Sequence, residues 1–182
     1  DAYDRIYDHL VLWDDAELEI VGAYRMVPTQ RVYEKHVELG LYTQTLFDFS
    51  NLSSDIVEQG LELGRSFVQP MYWGKRSLDY LWQGIGAYLK RHTQVRYLLG
   101  AVSMSNDLSE DAKASLVRFY QGYFGSLAAK VLAKTPYEAT DDLGLTYSFE
   151  DYEVDFARLK HHLKQTGQSI PTLYKQYAEL CE

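Results

Sequence analysis

The chain has one cysteine, Cys181, in the penultimate position of its 182 residues. No internal disulfide can form, no zinc site can be assembled from thiolates, and a reducing cytoplasm is the compartment that suits it. No run approaches the roughly 20 consecutive apolar residues of a membrane span, and no signal peptide is visible at the start. Peripheral contact with a membrane surface, such as the inner face of a cell membrane, stays open. A start at Asp1 without methionine and an end on a helical pattern suit a piece of a longer gene product. Positive charge is also short: 18 Lys and Arg stand against 26 Asp and Glu, giving a net charge of −8. A nucleic-acid-binding domain carries a basic excess instead, so nucleic acid is not an expected partner. Gly-x-x-x-x-Gly-Lys-Ser/Thr, Gly-x-Gly-x-x-Gly and Gly-x-Ser-x-Gly strings are all missing, which leaves nucleotide-binding and hydrolase motifs without support. There is no internal repeat and no low-complexity tract.

What is present is enough for a folded core. Apolar residues make up 46 % of the chain, a share that suits one domain or slightly more. The charge deficit is uneven. Lys plus Arg against Asp plus Glu stand at 4 and 12 in residues 1–59, 10 and 5 in 60–134, and 4 and 9 in 135–182. The basic middle third is either an ordinary solvated pattern or a face for an acidic or phosphorylated partner. Sixteen tyrosines are many for this length, and some are expected to line an apolar cavity with their polar tips. His161 and His162 are adjacent on a helical pattern and diverge by roughly 100°, which is poor geometry for one metal, and no metal site is expected.

Taken in order, His9–Trp13 and Leu18–Val27 are strand-like runs joined through Asp14-Asp15-Ala16-Glu17, a β-hairpin pattern. Alternation puts Arg25 on the face of Val21, Ala23 and Val27. Its guanidinium must then either escape to solvent at the strand end or pair with a carboxylate. Pro28 ends the strand, and a short helix is expected from Thr29 to about Leu39, closed by Gly40. Leu41–Leu52 is an aromatic connector, long enough to be functional or to cover a sheet edge. Val57–Val68 reads as the central strand. Its alternation sets Glu62 and Arg65 on opposite faces unless a bulge at Gly64 re-aims the side chains beyond it. A helix is expected over Ser77–Arg91, a buried strand over Arg96–Ser103, a helix from Ser109 to Phe124, a surface loop over Gly125–Leu145, and two closing helices, from about Asp151 to Gln165 and from Pro171 on. This order describes an α/β or α+β sheet of at least four strands with helices on its faces.

The strand, Pro/Gly loop and helix start around Glu62–Ser77 form a junction able to hold an anion, because the first N–H groups of a helix lack intrahelical partners. Glu62 on a central strand beside it is suited to take a proton from an attacking amine. Alternatively it forms an ion pair with Arg65 or Arg25 that only ties the sheet.

Strand, Val68-Gln-Pro-Met-Tyr-Trp-Gly-Lys75 and helix together resemble the acyl-thioester-binding core of the GNAT acyltransferase superfamily. Tyr3-Asp4, Asp8–Leu12, Val21–Val27, Glu62–Val68 and Ser103–Asp107 look like its hemolysin-like, ornithine-lipid N-acyltransferase branch. The same skeleton is similar to acyl-homoserine-lactone synthases and N-acyl amino acid synthases. The resemblance covers about residues 1–125. It implies a GNAT-like (acyl-CoA N-acyltransferase) fold, a mixed central sheet flanked by helices on both faces, with 126–182 as the helical C-terminal part of the same domain. It also implies that Glu62 is the base, with Arg65, Arg25 and Asp4 as organisers. In the family the loop after the strand binds pyrophosphate through glycines. Here Trp73, Arg76 and Leu78 stand at the Gln/Arg, Gly and Gly/Ala positions, which removes the close backbone approach that pyrophosphate needs.

The expected co-substrate is therefore the acyl-phosphopantetheine arm of acyl carrier protein, with acyl-CoA second and nothing tightly bound. An acidic carrier protein suits the basic residues Lys75, Arg76, Lys90, Arg91 and Arg96. Phe67, Val68, Gln69, Gly74, Lys75 and Arg76 are expected to hold the arm, with backbone N–H groups of Phe67–Gln69 polarising the thioester carbonyl. The acyl chain is expected among Leu98, Val102, Ser103, Met104, Phe119 and Tyr120. Glu62, directly or through water, would deprotonate a small amine acceptor of amino-acid type. A non-catalytic acyl- or lipid-binding, hemolysin-like protein is the alternative, although no helix combines a strongly basic face with a lipid-ready one.

Overall fold

The computed structural model describes residues 1–35, 38–125, 131–138 and 145–180. They fall into two compact units, Asp1–Ala101 and Val102–Glu182. The first unit runs β1 (Asp8–Asp14), β2 (Glu19–Pro28), α1 (Thr29–Lys35), the two-residue β3 (Phe47–Asp48), α2 (Ser54–Gln59), β4 (Gly60–Val68), α3 (Ser77–Arg91) and β5 (Tyr97–Leu99). Short 3₁₀ turns lie at Tyr3–Arg5, Tyr42–Thr45 and Pro70–Tyr72.

The hairpin expected from alternation forms between β1 and β2. The Asp14 carboxylate accepts the Ala16 N–H at 2.8 Å and the Glu17 N–H at 3.2 Å, closing the turn. β2 pairs antiparallel with β4, and β4 parallel with β5, so the sheet is mixed, in the order β1-β2-β4-β5. Helices cover both faces. On the face of Val27, α1 contributes Val32 to a cluster with Tyr7 and Leu41. On the opposite face, α3 lies close enough that a Cβ at Gly22 would meet Leu81 at 3.2 Å and one at Gly84 would meet Leu10 at 2.8 Å.

Two strands differ from expectation. The central strand starts at Gly60 and not at Val57, because Ser53–Asp55 opens helix α2, which carries Ile56 and Val57. The buried strand expected over Arg96–Ser103 shrinks to Tyr97–Leu99, with Tyr97 and Leu98 exposed. It is an edge strand that pairs only with Gly60–Glu62, so its apolar residues cover one side and not two. Past that point Gly100 lies over the Leu63 carbonyl, where a Cβ would stand 2.1 Å from the oxygen. β4 runs on alone on that edge to Val68.

The second unit contains α4 (Glu110–Phe124), the two-residue β6 (Leu132–Ala133), α5 (Tyr152–Gln165) and α6 (Thr172–Glu179). Ser109 caps α4 by accepting the Ala112 N–H at 3.2 Å, and Asp151 caps α5 by accepting the Val154 N–H at 3.1 Å. Gly167, at φ +72°, closes α5 as its position predicts, with the Gln168 N–H bonded to the Leu163 carbonyl at 2.9 Å. Ala112, Leu116, Phe119, Tyr147, Leu159, Leu163 and Ile170 form its core. The boundary expected at residue 125 falls inside this unit, at the end of α4. Part of the expected 125–145 loop, 126–130 and 139–144, and the cysteine at 181 lie outside the described residues.

Candidate active site

Glu62 sits in β4 opposite Val27 of β2, on the face covered by α1, and is 1 % exposed. A buried carboxylate must be matched by donors, and the aromatic connector supplies most of them. Oε1 accepts the Thr43 N–H at 2.6 Å and the Thr43 hydroxyl. Oε2 accepts the Tyr7 hydroxyl and the Tyr42 N–H at 3.2 Å. Tyr7 in turn accepts the same Tyr42 N–H at 3.0 Å. Four donors therefore occupy both oxygens. Burial, then the bond to Glu62, pushes the Tyr7 phenol well above the usual tyrosine range. Arg25 and Arg65 both take other carboxylates as partners.

Arg25 shares that face. Of its two options, escape or pairing, it takes the second: it is 2 % exposed, and its Nη1 donates to Asp1 at 2.9 and 3.0 Å and to Asp4 at 2.8 Å. Its guanidinium carbon stands 5.5, 4.9 and 5.7 Å from the ring centres of Tyr3, Tyr7 and Tyr42, a cation–π enclosure. Tyr3 meets Tyr7 and Tyr42 edge-on.

The expected bulge exists, one residue beyond Gly64. Between the pairs Arg25–Gly64 and Ala23–Phe67, β2 has one residue and β4 has two, Arg65 and Ser66. Arg65 adopts φ +50°, a left-handed conformation normally left to glycine. The extra residue turns Arg65 to the Glu62 face, where its Nη2 donates to Asp1 at 3.0 Å. Asp4, Arg25 and Arg65 are thus joined through Asp1, and Glu62 is joined to Arg25 through the Tyr7 ring. These four are the residues expected from the sequence, and Tyr7, Thr43 and Asp1, which were not among them, are in direct contact with them. The signals available were the tyrosine surplus and the unusual length of the 41–52 connector.

The residues expected to hold a pantetheine arm lie along the open edge of β4 and the loop after it. Gln69 is spent otherwise: its N–H donates to the Val21 carbonyl at 2.8 Å and its side chain to the Ile20 carbonyl at 2.7 Å. Ladder alternation then turns the Phe67 N–H toward β2 and leaves Val68 facing the open edge. The Val68 carbonyl there accepts the Trp73 indole N–H at 2.8 Å. Gly74 has φ +71° with nothing within 4 Å of a Cβ, so its role is the turn and not a close approach. Lys75 and Arg76 are exposed. Lys75 lies 4.5 Å from the Tyr72 ring centre, and Tyr72 donates to Asp14 at 2.7 Å.

The expected acyl-chain residues are divided between the two units. Leu98 is exposed on β5 of the first unit. Phe119 is a sealed core residue of the second, 0 % exposed, with Tyr120, Tyr123, Tyr147 and Tyr152 around its ring. Met104 and Tyr120 pack against the same core, whereas Val102 and Ser103 lie outside regular structure. Among the described residues the Phe119 ring is enclosed by the core of the second unit.

Over 192 aligned residues the chain is 27 % identical to a glycine N(alpha)-acyltransferase of Phocaeicola vulgatus, covering 99 % of this chain and 59 % of that protein. It is 30 % identical over 186 residues to an L-ornithine N(alpha)-acyltransferase of Agrobacterium fabrum, covering 99 % of this chain and 58 % of that one. With an L-ornithine N(alpha)-acyltransferase of Brucella abortus it shares 37 % identity over 99 residues, 51 % of this chain and 34 % of the relative. The chain thus spans less than two thirds of the length of these relatives. No solved structure matches it significantly. Residues 1–83 match the family described as the acetyltransferase (GNAT) domain, and the mixed sheet flanked by helices is the fold expected of it. The likeness to the acetyltransferase (GNAT) domain family is thus carried by residues 1–83, less than half of the chain.

Proposed function

We propose that the protein is an N-acyltransferase. It moves a fatty acyl group from acyl carrier protein, or less readily from acyl-CoA, to the amine of an amino-acid-like acceptor, as in lyso-ornithine lipid or N-acyl amino acid synthesis. The observation that carries this reading is the parting of β4 from β5 just past Glu62, which opens a strand edge beside a buried acid network. The names of the glycine and ornithine relatives support the acceptor class.

In the reaction the acceptor nitrogen attacks the thioester carbonyl, the C–N bond forms, the C–S bond breaks and the thiolate leaves. In this reading a backbone N–H on the open edge of β4 donates to the developing oxyanion. The amine proton must go to a base. All acceptor positions of Glu62 are occupied, so a proton reaches it through a hydroxyl already bonded to it: Tyr7 or Thr43 passes its own proton to Glu62 as it takes the one from the amine. Arg25, Arg65 and Asp4 fix the charges around that relay. Exposed Lys75, Arg76, Lys90, Arg91 and Arg96 support an acidic carrier protein as donor. Among the described residues no helix is long and apolar enough to cross a membrane. A place in the cytoplasm, at the inner membrane surface, goes with a lipid product.

The test mixes the protein with acyl carrier protein charged with a fatty acyl chain and with glycine or ornithine, following thiol release and the N-acyl product by mass. Release that depends on the amine is the expected result; no release with any amine would leave the binding-module reading. Glu62→Gln should lose at least about 100-fold in rate, with the thermal midpoint measured beside it because the new amide N–H groups face existing donors. A full rate in that variant removes Glu62 from the chemistry.

A further inference from the structure

We infer that Arg25 and Arg65 form a carboxylate-reading pair that selects acceptors by their free α-carboxylate. The inference rests on the reading of the protein as an amino-acid N-acyltransferase, and three observations lead to it.

First, Arg65 holds a left-handed conformation, φ +50°, which is strained for a residue other than glycine. Strand alternation without the bulge would send its side chain to the far face. The bulge turns it onto the face of Arg25, although a solvent-facing arginine has no need of this for stability.

Second, Arg25 is a buried cation with spare capacity. All its hydrogen bonds leave from Nη1, and its buried Nε has no partner among the described residues. An unsatisfied buried donor is uncommon and calls for a cause. Glu62 on the same face does not serve it, since Tyr7, Tyr42 and Thr43 already fill that carboxylate.

Third, a carboxylate fits between the two guanidinium groups. The side chain of Asp1 does so: Oδ2 accepts from Arg25 Nη1 at 3.0 Å and from Arg65 Nη2 at 3.0 Å, while Oδ1 accepts from Arg25 at 2.9 Å. Asp1 stands in for the planar, singly charged group of an amino acid, and a free α-carboxylate competes for the same donors. Tyr3, Tyr7 and Tyr42 wall the guanidinium of Arg25 and hold its plane for that exchange.

The experiment is a binding titration without any acyl donor, using glycine and glycinamide, with 4′-phosphopantetheine as a third ligand because its phosphate is the other anion a pair of arginines would take. The wild-type protein should bind glycine at least about tenfold more tightly than glycinamide. Arg65→Asn removes the charge while keeping a residue that tolerates the left-handed region. It should abolish the preference, leave glycinamide binding unchanged and unfold at the wild-type midpoint. Arg65→Lys should retain part of the preference. Equal binding of acid and amide, no measurable binding of glycine, or an Arg65→Asn loss confined to 4′-phosphopantetheine each overturns the inference. A clear preference in a protein that transfers no acyl group would keep the pair and remove the transferase reading. Transfer to acid and amide at equal efficiency would do the reverse.

Discussion

Glu62 shows how burial decides what a carboxylate does. It has no free lone pair, so its strongest effect on the folded protein is to pin Tyr7 and the Tyr42–Thr43 turn to the central strand. Removing the Tyr7 hydroxyl leaves one oxygen of a buried anion short of a donor. Tyr7→Phe should therefore cost about 1.5–3 kcal/mol in urea unfolding. The same bond sets a pH dependence. The folded protein holds the Tyr7 proton above the ordinary tyrosine value of 10.0, while the unfolded chain releases it there. The stability from this group is full below about pH 10 and declines as pH rises further. Tyr120 and Tyr147, raised by burial in the second unit, act in the same direction. Unfolding midpoints between pH 8 and 11 should fall in the wild type and fall less steeply in Tyr7→Phe. An unchanged slope in the variant would detach Tyr7 from the effect.

At the scale of elements, the parting of β4 and β5 depends on Gly100. A Cβ there would stand 2.1 Å from the Leu63 carbonyl oxygen, so Gly100→Ala must push the exit of β5 away from β4. The expected cost is about 1–3 kcal/mol, with faster amide exchange at Gly60–Glu62, the residues paired with β5; protection equal to the wild type would show that the backbone yields elsewhere. Period-2 and period-3.6 patterns suffice for β1, α3, α4 and α5, because each turns one face inward, and the long apolar run suffices for β2, which is buried on both faces. They fail at β5, whose Leu-rich stretch pairs over only three positions, and at residues 57–59, where the Ser53–Asp55 start signal outweighs a β-branched pair. Asp4 is reached only through the family resemblance, whereas Arg25, Glu62 and Arg65 are legible as charged residues on apolar strands. The donors that complete the site are not: Tyr7 and Thr43 reach Glu62 across sequence separations of 55 and 19, and no local pattern records such a meeting.

Across the whole molecule, the net charge of −8 conceals exposed cations on the first unit at Lys90, Arg91 and Arg96. An acidic donor protein should feel them through long-range attraction. The KM for acyl carrier protein is expected to rise with ionic strength between 50 and 300 mM, where the Debye length drops below about 10 Å, and Lys90→Glu with Arg91→Glu should raise it further without changing the rate at saturation. A salt-independent KM would argue for a small-molecule donor. The three tryptophans, Trp13, Trp73 and Trp82, all belong to the first unit. Among them, Trp73 gives its indole N–H to the Val68 carbonyl on the open edge of β4. Under the proposed reading an arm that docks along that edge has to displace or repack this ring, so a shift in tryptophan emission on adding the acyl donor is the expected label-free sign of docking, and unchanged emission would count against that edge.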